Sequence, residues 1–339
     1  MSEMRSAQAA RVGLAALFAA AAVAGFALMP SLGTSATQGW KTLEPSPLAR
    51  TEVAAGKAGR YFWVVGGFGT GAAPSAEVAR YDPRKREWKV MPSLPVTLNH
   101  TGVFGYRGRP YVFGGFENAP RTGFGPVSSR LFRFDQRRGE WRELTPAPVP
   151  RAAFAIGRIG PRVYVAGGAT DTEATTDRVD VYDLKRDRWR EGPSLEVPRE
   201  HLAGAVAGRP NHRFFYALGG RDFYGSPNYR TVERFNPQTG RWRRLADMGV
   251  AHGGFGAVGV GRRVVAVGGE APGSGPEGTI PDAEVYLPRR DRWRALPDLP
   301  SPRHGLGVVA HRKRVYAIEG GTVTFAGISN LVESLRIGR

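Results

Sequence analysis

The chain has 339 residues, a formal net charge of +18, 46 glycines, 26 prolines and no cysteine. That length holds a large core, and so much Gly and Pro favours short strands joined by tight turns over long helices. The lack of cysteine excludes disulfides, thiolate metal sites and cysteine nucleophiles, and leaves packing as the source of stability for an exported chain. Only six of the 48 basic residues are lysine, and a strong positive field of this kind favours anionic partners.

The first element is an apolar segment. Residues 1–11 are polar and carry Arg5 and Arg11; residues 12–29 are uncharged and rich in Ala and Leu, and Pro30 ends the run. A helix over such a stretch rises about 27 Å, enough for a bilayer core. Residues 1–36 therefore read as a signal peptide or a membrane anchor, which predicts a cell-envelope protein: periplasmic, secreted or held by one N-terminal transmembrane helix.

The remainder repeats. A β-rich apolar run ends in Gly-Gly six times, over Tyr61–Gly67, Pro110–Gly115, Arg162–Gly168, Arg213–Gly220, Arg262–Gly269 and Arg314–Gly321. Trp88, Trp141, Trp189, Trp242 and Trp293 are each preceded seven positions earlier by an aromatic residue: Tyr81, Phe134, Tyr182, Phe235 and Tyr286. The period is about 50 residues, the size of one four-stranded blade. Each unit predicts strand a (small and apolar), strand b (the run into Gly-Gly), strand c (carrying the aromatic) and strand d (starting near Trp). The Gly pair permits close backbone approach, and the two aromatics fill the widening space between blades. Unit six has Leu335 in place of the aromatic and no Trp after it, while Trp40 is left over near the start. Residues 39–43 are thus expected to supply strand d of blade six and close the ring, removing its free sheet edges.

The apolar-Gly-Gly, Tyr-Asp-x5-Trp and Pro-Arg patterns, repeated over residues 40–339, resemble the Kelch repeat family. The resemblance implies an all-β, six-bladed Kelch-type β-propeller over residues 37–339, closed by an N-terminal strand and preceded by one hydrophobic helix. Strand alternation gives such a ring two faces. The turn face collects basic hairpins such as Arg84-Lys85-Arg86, Arg137-Arg138 and Arg289-Arg290. They read as solvated turns, or as a contact with an anionic membrane surface if the anchor is retained. Nucleic acid is not expected as a partner, because the aromatics occupy repeat positions rather than interleaving with the basic residues.

The mouth face, where b–c and d–a connections emerge, is the ligand face expected of such propellers. It gathers Arg50, Arg151, Arg199, His201, His252, Arg303 and His304 near the starts of strand a, with Arg221 and Tyr224 on a long b–c loop. His100, His201, His252 and His304 fall at similar places but lack HxH or HExxH spacing. The alternatives are a metal site or acid–base set facing the central channel, and hydrogen-bonding links between blades; the spacing favours the links, with no metal and no cofactor. The arginines read either as structural links or as guanidinium forks for a carboxylate or sulfate. Glu319 is a departure: Val65, Phe113, Ala166, Leu218 and Val267 precede Gly-Gly in the other units. A carboxylate there is either the buried partner of Arg303 or a neighbouring arginine, or a general acid–base group.

Two functions follow. One is a module binding an anionic glycan or a protein on the mouth face through Arg50, Arg151, Arg199, His201, Arg221, Tyr224, His252 and Arg303. The other comes from the resemblance to the periplasmic sialic-acid mutarotases of this architecture. It implies a mutarotase or epimerase of an acidic sugar, with Glu319 and His304 as the catalytic pair. A copper oxidase similar to galactose oxidase is disfavoured, since that cofactor needs a Cys-linked Tyr.

Overall fold

The computed structural model describes residues 39–120, 124–223, 225–271, 278–324 and 327–338. The expected N-terminal helix and signal or anchor segment lie outside the described residues. Among the described residues no helix is long and apolar enough to cross a membrane.

Six four-stranded antiparallel sheets form the molecule. Blade one shows the pattern, with strands a to d over Ala54–Ala58, Tyr61–Val65, Val78–Asp82 and Glu87–Met91. Strand a of each blade packs against strand a of the next, all the way round. Small residues make this possible. A Cβ on Gly56 of blade one would lie 2.6 Å from the Val103 carbonyl oxygen of blade two, so the inner strands close around the axis only where side chains are absent or small. Most buried apolar residues accordingly fall into six interblade clusters, one per junction, and a small seventh of Phe116, Ala152 and Ala169 joins blades two and three.

The aromatic repeat holds the rim. Tyr81 and Trp88 are cross-strand partners with ring centroids 4.8 Å apart, and the other four pairs repeat this at 4.9–5.4 Å. The Nε1–H of each of these five strand-d tryptophans also donates to a carbonyl of the preceding blade's outer segment: Trp88 to Glu44, Trp141 to Pro92, Trp189 to Thr145, Trp242 to Pro193 and Trp293 to Ala246. Trp40 completes the series. Its strand, Trp40–Thr42, pairs with Val332–Arg336 in blade six, with Trp40 opposite Leu335, and its Nε1–H donates to Pro297 O at 2.8 Å. The N-terminal strand therefore closes the ring, as the leftover tryptophan predicts.

One register differs from the sequence reading. In the first five blades the two glycines have positive φ, as in Gly66 (66°) and Gly67 (89°). In blade six those conformations belong to Glu319 (56°) and Gly320 (101°), and strand b ends at Ile318. Glu319 thus occupies the first glycine position rather than the residue before the pair, and Gly320, not Gly321, is the second glycine.

Candidate functional site

Two concentric sets of polar residues lie beneath the mouth face. The outer set clasps neighbouring blades. The carbonyls of Arg151, Arg199, His252 and Arg303 each accept from the second glycine of the preceding blade. Their side chains then reach a carboxylate on strand c of their own blade. Arg151 meets Asp180, Arg199 meets Glu233, Arg303 Nη1 lies 2.7 Å from Glu333, and His252 Nε2 lies 3.4 Å from Glu284. Blade two has the apolar pair Leu98 and Phe132 at these two positions, both fully buried. Blade one has Arg50 but Ala79 where the carboxylate belongs. Its partner comes instead from blade six: Glu319 takes Arg50 bidentately, at 2.9 and 3.1 Å, and the Ser46 hydroxyl at 2.6 Å. Burial pushes the Glu319 carboxyl up, against the opposing pull of Arg50 and Ser46.

Arg50, Arg151, Arg199, His252, Arg303 and Glu319 are all fully buried or within 1 % of it, and none lines the central cavity. These ligand-binding and catalytic candidates thus have no face that a ligand can reach. The structure places them in the interblade role, and Glu319 as the buried partner of Arg50 rather than of Arg303. Arg303 only donates to the Glu319 backbone carbonyl, at 2.9 Å.

The inner set surrounds the channel mouth. His100 Nε2 lies 3.1 Å from Glu52 Oε2, and His304 Nδ1 lies 2.9 Å from Glu52 Oε1 and 3.7 Å from Glu270 Oε2. Arg221 donates to Glu270 at 2.8 Å and to Glu200 at 2.9 Å. Glu200 in turn meets His201 Nδ1, and the His201 ring packs edge-on against His100 at 4.8 Å. The circuit closes through five blades. Blade three supplies only Ala152 and Ala153 and leaves a gap. Below it a cavity of about 150 Å³ runs along the axis, lined by the strand-a starts of all six blades.

Local backbone explains the placement. Glu52, His100, Ala153 and His201 share a left-handed turn, φ between 51° and 52°, which aims residue three of each d–a connection at the axis; Gly254 and Gly305 take it in blades five and six. Burial drives the His100 imidazole down to about 4 despite the pull of Glu52. Burial also opposes the Glu52 carboxylate, but His100 and His304 outweigh it and hold Glu52 well below the ordinary range. His304 goes the other way: burial disfavours its charge, but its hydrogen bond to Glu52 raises it. Both of its nitrogens face oxygens, Glu52 Oε1 and Val323 O.

Of the residues singled out from sequence, His100, His201, Arg221 and His304 meet at this mouth, with Arg221 fully buried, and Tyr224 lies outside the described residues. Glu52 was not singled out. The available signal was positional, because Glu52 aligns with His100 and His201 once the repeats are superposed. Above the ring, Phe124 packs on Phe116 at 4.8 Å and edge-on to His100 at 5.6 Å.

The KLHDC2/KLHL20/DRC7 Kelch-repeats domain family matches residues 52–269 and 99–321. Kelch-like protein terF of Aspergillus terreus is 27% identical over 327 residues, covering 91% of this chain and 70% of that protein. Kelch-like protein 40 of Xenopus tropicalis is 28% identical over 250 residues, 72% of this chain, and human Kelch-like protein 34 is 29% identical over 241 residues, 68% of this chain. The chain spans 39% and 36% of those two proteins' lengths. Among solved structures, that of YjhT aligns with a TM-score of 0.72 over 86% of this chain and 95% of that one, at 13% identity, a likeness of fold. With six blades, the Gly-Gly and Tyr–Trp repeat and a family match over most of its length, the chain belongs to the Kelch-repeat family.

Proposed function

We propose that this propeller is a binding module whose protein ligand docks on the mouth face, centred on the channel. One observation carries the reading. Of the four exposed large apolar side chains among the described residues, three, Phe124, Phe223 and Val323, stand on the b–c loops of this face. Exposed aromatics around a rigid polar centre are the usual anchors of an interface. Kelch-like relatives are consistent with this reading; the anionic glycan expected from sequence is not part of it, because Arg221 at the mouth is fully buried between Glu200 and Glu270. Capture from an envelope extract, compared between the wild-type chain and a Phe124→Ala/Phe223→Ala double variant, tests it. The same captured protein is expected to fall at least tenfold with the variant. Undiminished capture by the double variant, lost instead on reversing Arg137, Arg138, Arg289 and Arg290, moves the interface to the turn face. Envelope location belongs to the proposal and rests on residues 12–29. Recovery of the whole pool in the cytosolic fraction overturns it.

A second reading, the acidic-sugar mutarotase, is favoured by the carboxylate–imidazole set at the mouth. Its acid–base pair is then Glu52 with His304, not Glu319. Glu52→Gln should slow anomer interconversion about a hundredfold or more, and an unchanged rate removes this reading.

A further inference from the structure

Hydrogen bonds within the inner ring leave one contact unexplained. His100 Nδ1 is 2.6 Å from Asn99 Oδ1, and the Asn99 amide is oriented by its Nδ2–H donating to Phe116 O at 3.4 Å. His100 therefore donates from Nδ1, and in the neutral ring its Nε2 presents a lone pair. That lone pair faces Glu52 Oε2, another acceptor, at 3.1 Å. With the ring neutral, two acceptors at this separation repel unless a proton or a metal ion lies between them. His201 repeats the arrangement. Its Nδ1 lies against Glu200 Oε2 and Glu200 is held by Arg221, so in the neutral ring Nε2 again presents its lone pair. Fixing Nδ1–H on a carboxylate or carbonyl oxygen is how metal-ligating histidines are oriented.

We infer that Glu52, His100 and His201 form a site for one divalent transition-metal ion of the zinc class, with Asn99, Glu200 and His304 orienting the three ligands. The candidate ligand atoms all lie within 4.8 Å of one another. An ion with bonds of about 2.1 Å spaces its ligands roughly 3–3.5 Å apart. Glu52 and His100 already have that spacing, and a His201 ring nitrogen within 4.8 Å of both joins them by a shift of about 1–2 Å. Two imidazoles and one carboxylate suit zinc and its neighbours rather than calcium or magnesium. Three carboxylates (Glu52, Glu200 and Glu270) meet at the mouth with one guanidinium, so a cation also offsets surplus negative charge whatever His304 carries. The axial cavity opens directly below, leaving space for water or a ligand atom at the remaining coordination positions. The site is independent of which partner docks above it. It also reverses the sequence preference for blade links over a metal site, because sequence spacing does not reveal ligands drawn from three blades.

The test is calorimetric titration of the full-length, tag-free, chelator-stripped chain with Zn(II). One ion per chain is expected, with a rise in melting temperature in excess metal. His100→Gln and His201→Gln should each weaken binding at least tenfold. Glu200→Gln, which keeps all three ligands, should weaken it about tenfold or more through His201 orientation. The exposed His212→Gln and the single docking variant Phe223→Ala should bind as wild type, so failure of the metal site and failure of the docking proposal are read separately. No binding by the wild-type chain, or wild-type affinity in His201→Gln, overturns the inference. Should the ligand variants not fold, X-ray absorption on the zinc-loaded wild-type chain decides. Two imidazole nitrogens at about 2.0–2.1 Å support the site, and none overturns it.

Discussion

Glu319 is a carboxylate in a glycine's conformation, and blade one explains its presence. A non-glycine residue in the left-handed region costs about 1–2 kcal/mol, while an arginine buried without a partner costs about 3–5 kcal/mol. The second penalty exceeds the first, so a strained Glu319 is favourable as long as Arg50 remains. Glu319→Gly should relieve the strain yet destabilise the chain by a net amount on the order of 2 kcal/mol, read by denaturant unfolding. Adding Arg50→Leu should recover much of that loss, since blade two holds the apolar pair Leu98 and Phe132 at corresponding positions. A double variant no better than Glu319→Gly would show that Arg50 matters chiefly through its bonds to the Gly66 and Glu77 carbonyls. From sequence, Glu319 stood out as an anomaly, but Gly320-Gly321 placed the pair one residue late. Only the φ angles and the Gly320 N–H to Arg50 O bond fix the register. At the turn face, the Lys185 backbone N–H holds the Asp183 carboxyl below its usual range, and Arg137 N–H does the same for Asp135. A pKa lower in the folded state gives stability that is complete above about pH 4, the unfolded value, and is lost as pH falls through the folded one. Asp183→Asn should therefore flatten the acid limb of a melting-temperature profile and leave its slope near neutrality unchanged.

Strand d of blade six is the element on which ring closure depends. Trp40→Phe keeps the packing and removes the Pro297 hydrogen bond, a loss of about 1 kcal/mol. Trp40→Ala also empties space in the cluster shared by blades five and six, for about 3–5 kcal/mol. Deleting residues 1–43 exposes the edge of Val332–Arg336, and an unpaired edge of that kind recruits other chains. Concentration-dependent association in size-exclusion chromatography is expected for this deletion and not for deletion of residues 1–37. A monomeric, undiminished melt after removal of residues 1–43 would contradict closure by this strand. Its pairing was readable because blade six lacked a tryptophan and the N-terminus had one to spare.

At the scale of the whole molecule, the net charge of +18 repels itself, and most of it lies on exposed arginines. The arginine–carboxylate pairs beneath the mouth face are buried and screened far less. Raising salt from low to physiological strength should therefore raise the melting temperature; a fall would mean that exposed ion pairs dominate. Blade number, strand order, ring closure and the aromatic rim were determined by the sequence alone, because each rests on a local period repeated along the chain. The division of the mouth-face polar residues into buried clasps and an axial ring was decided only by the tertiary structure. Arg50 and Glu52 are two positions apart in the chain, yet one points into the blade junction and the other toward the axis. The left-handed turn and the neighbouring blades decide which, and neither is written in the spacing of the residues themselves.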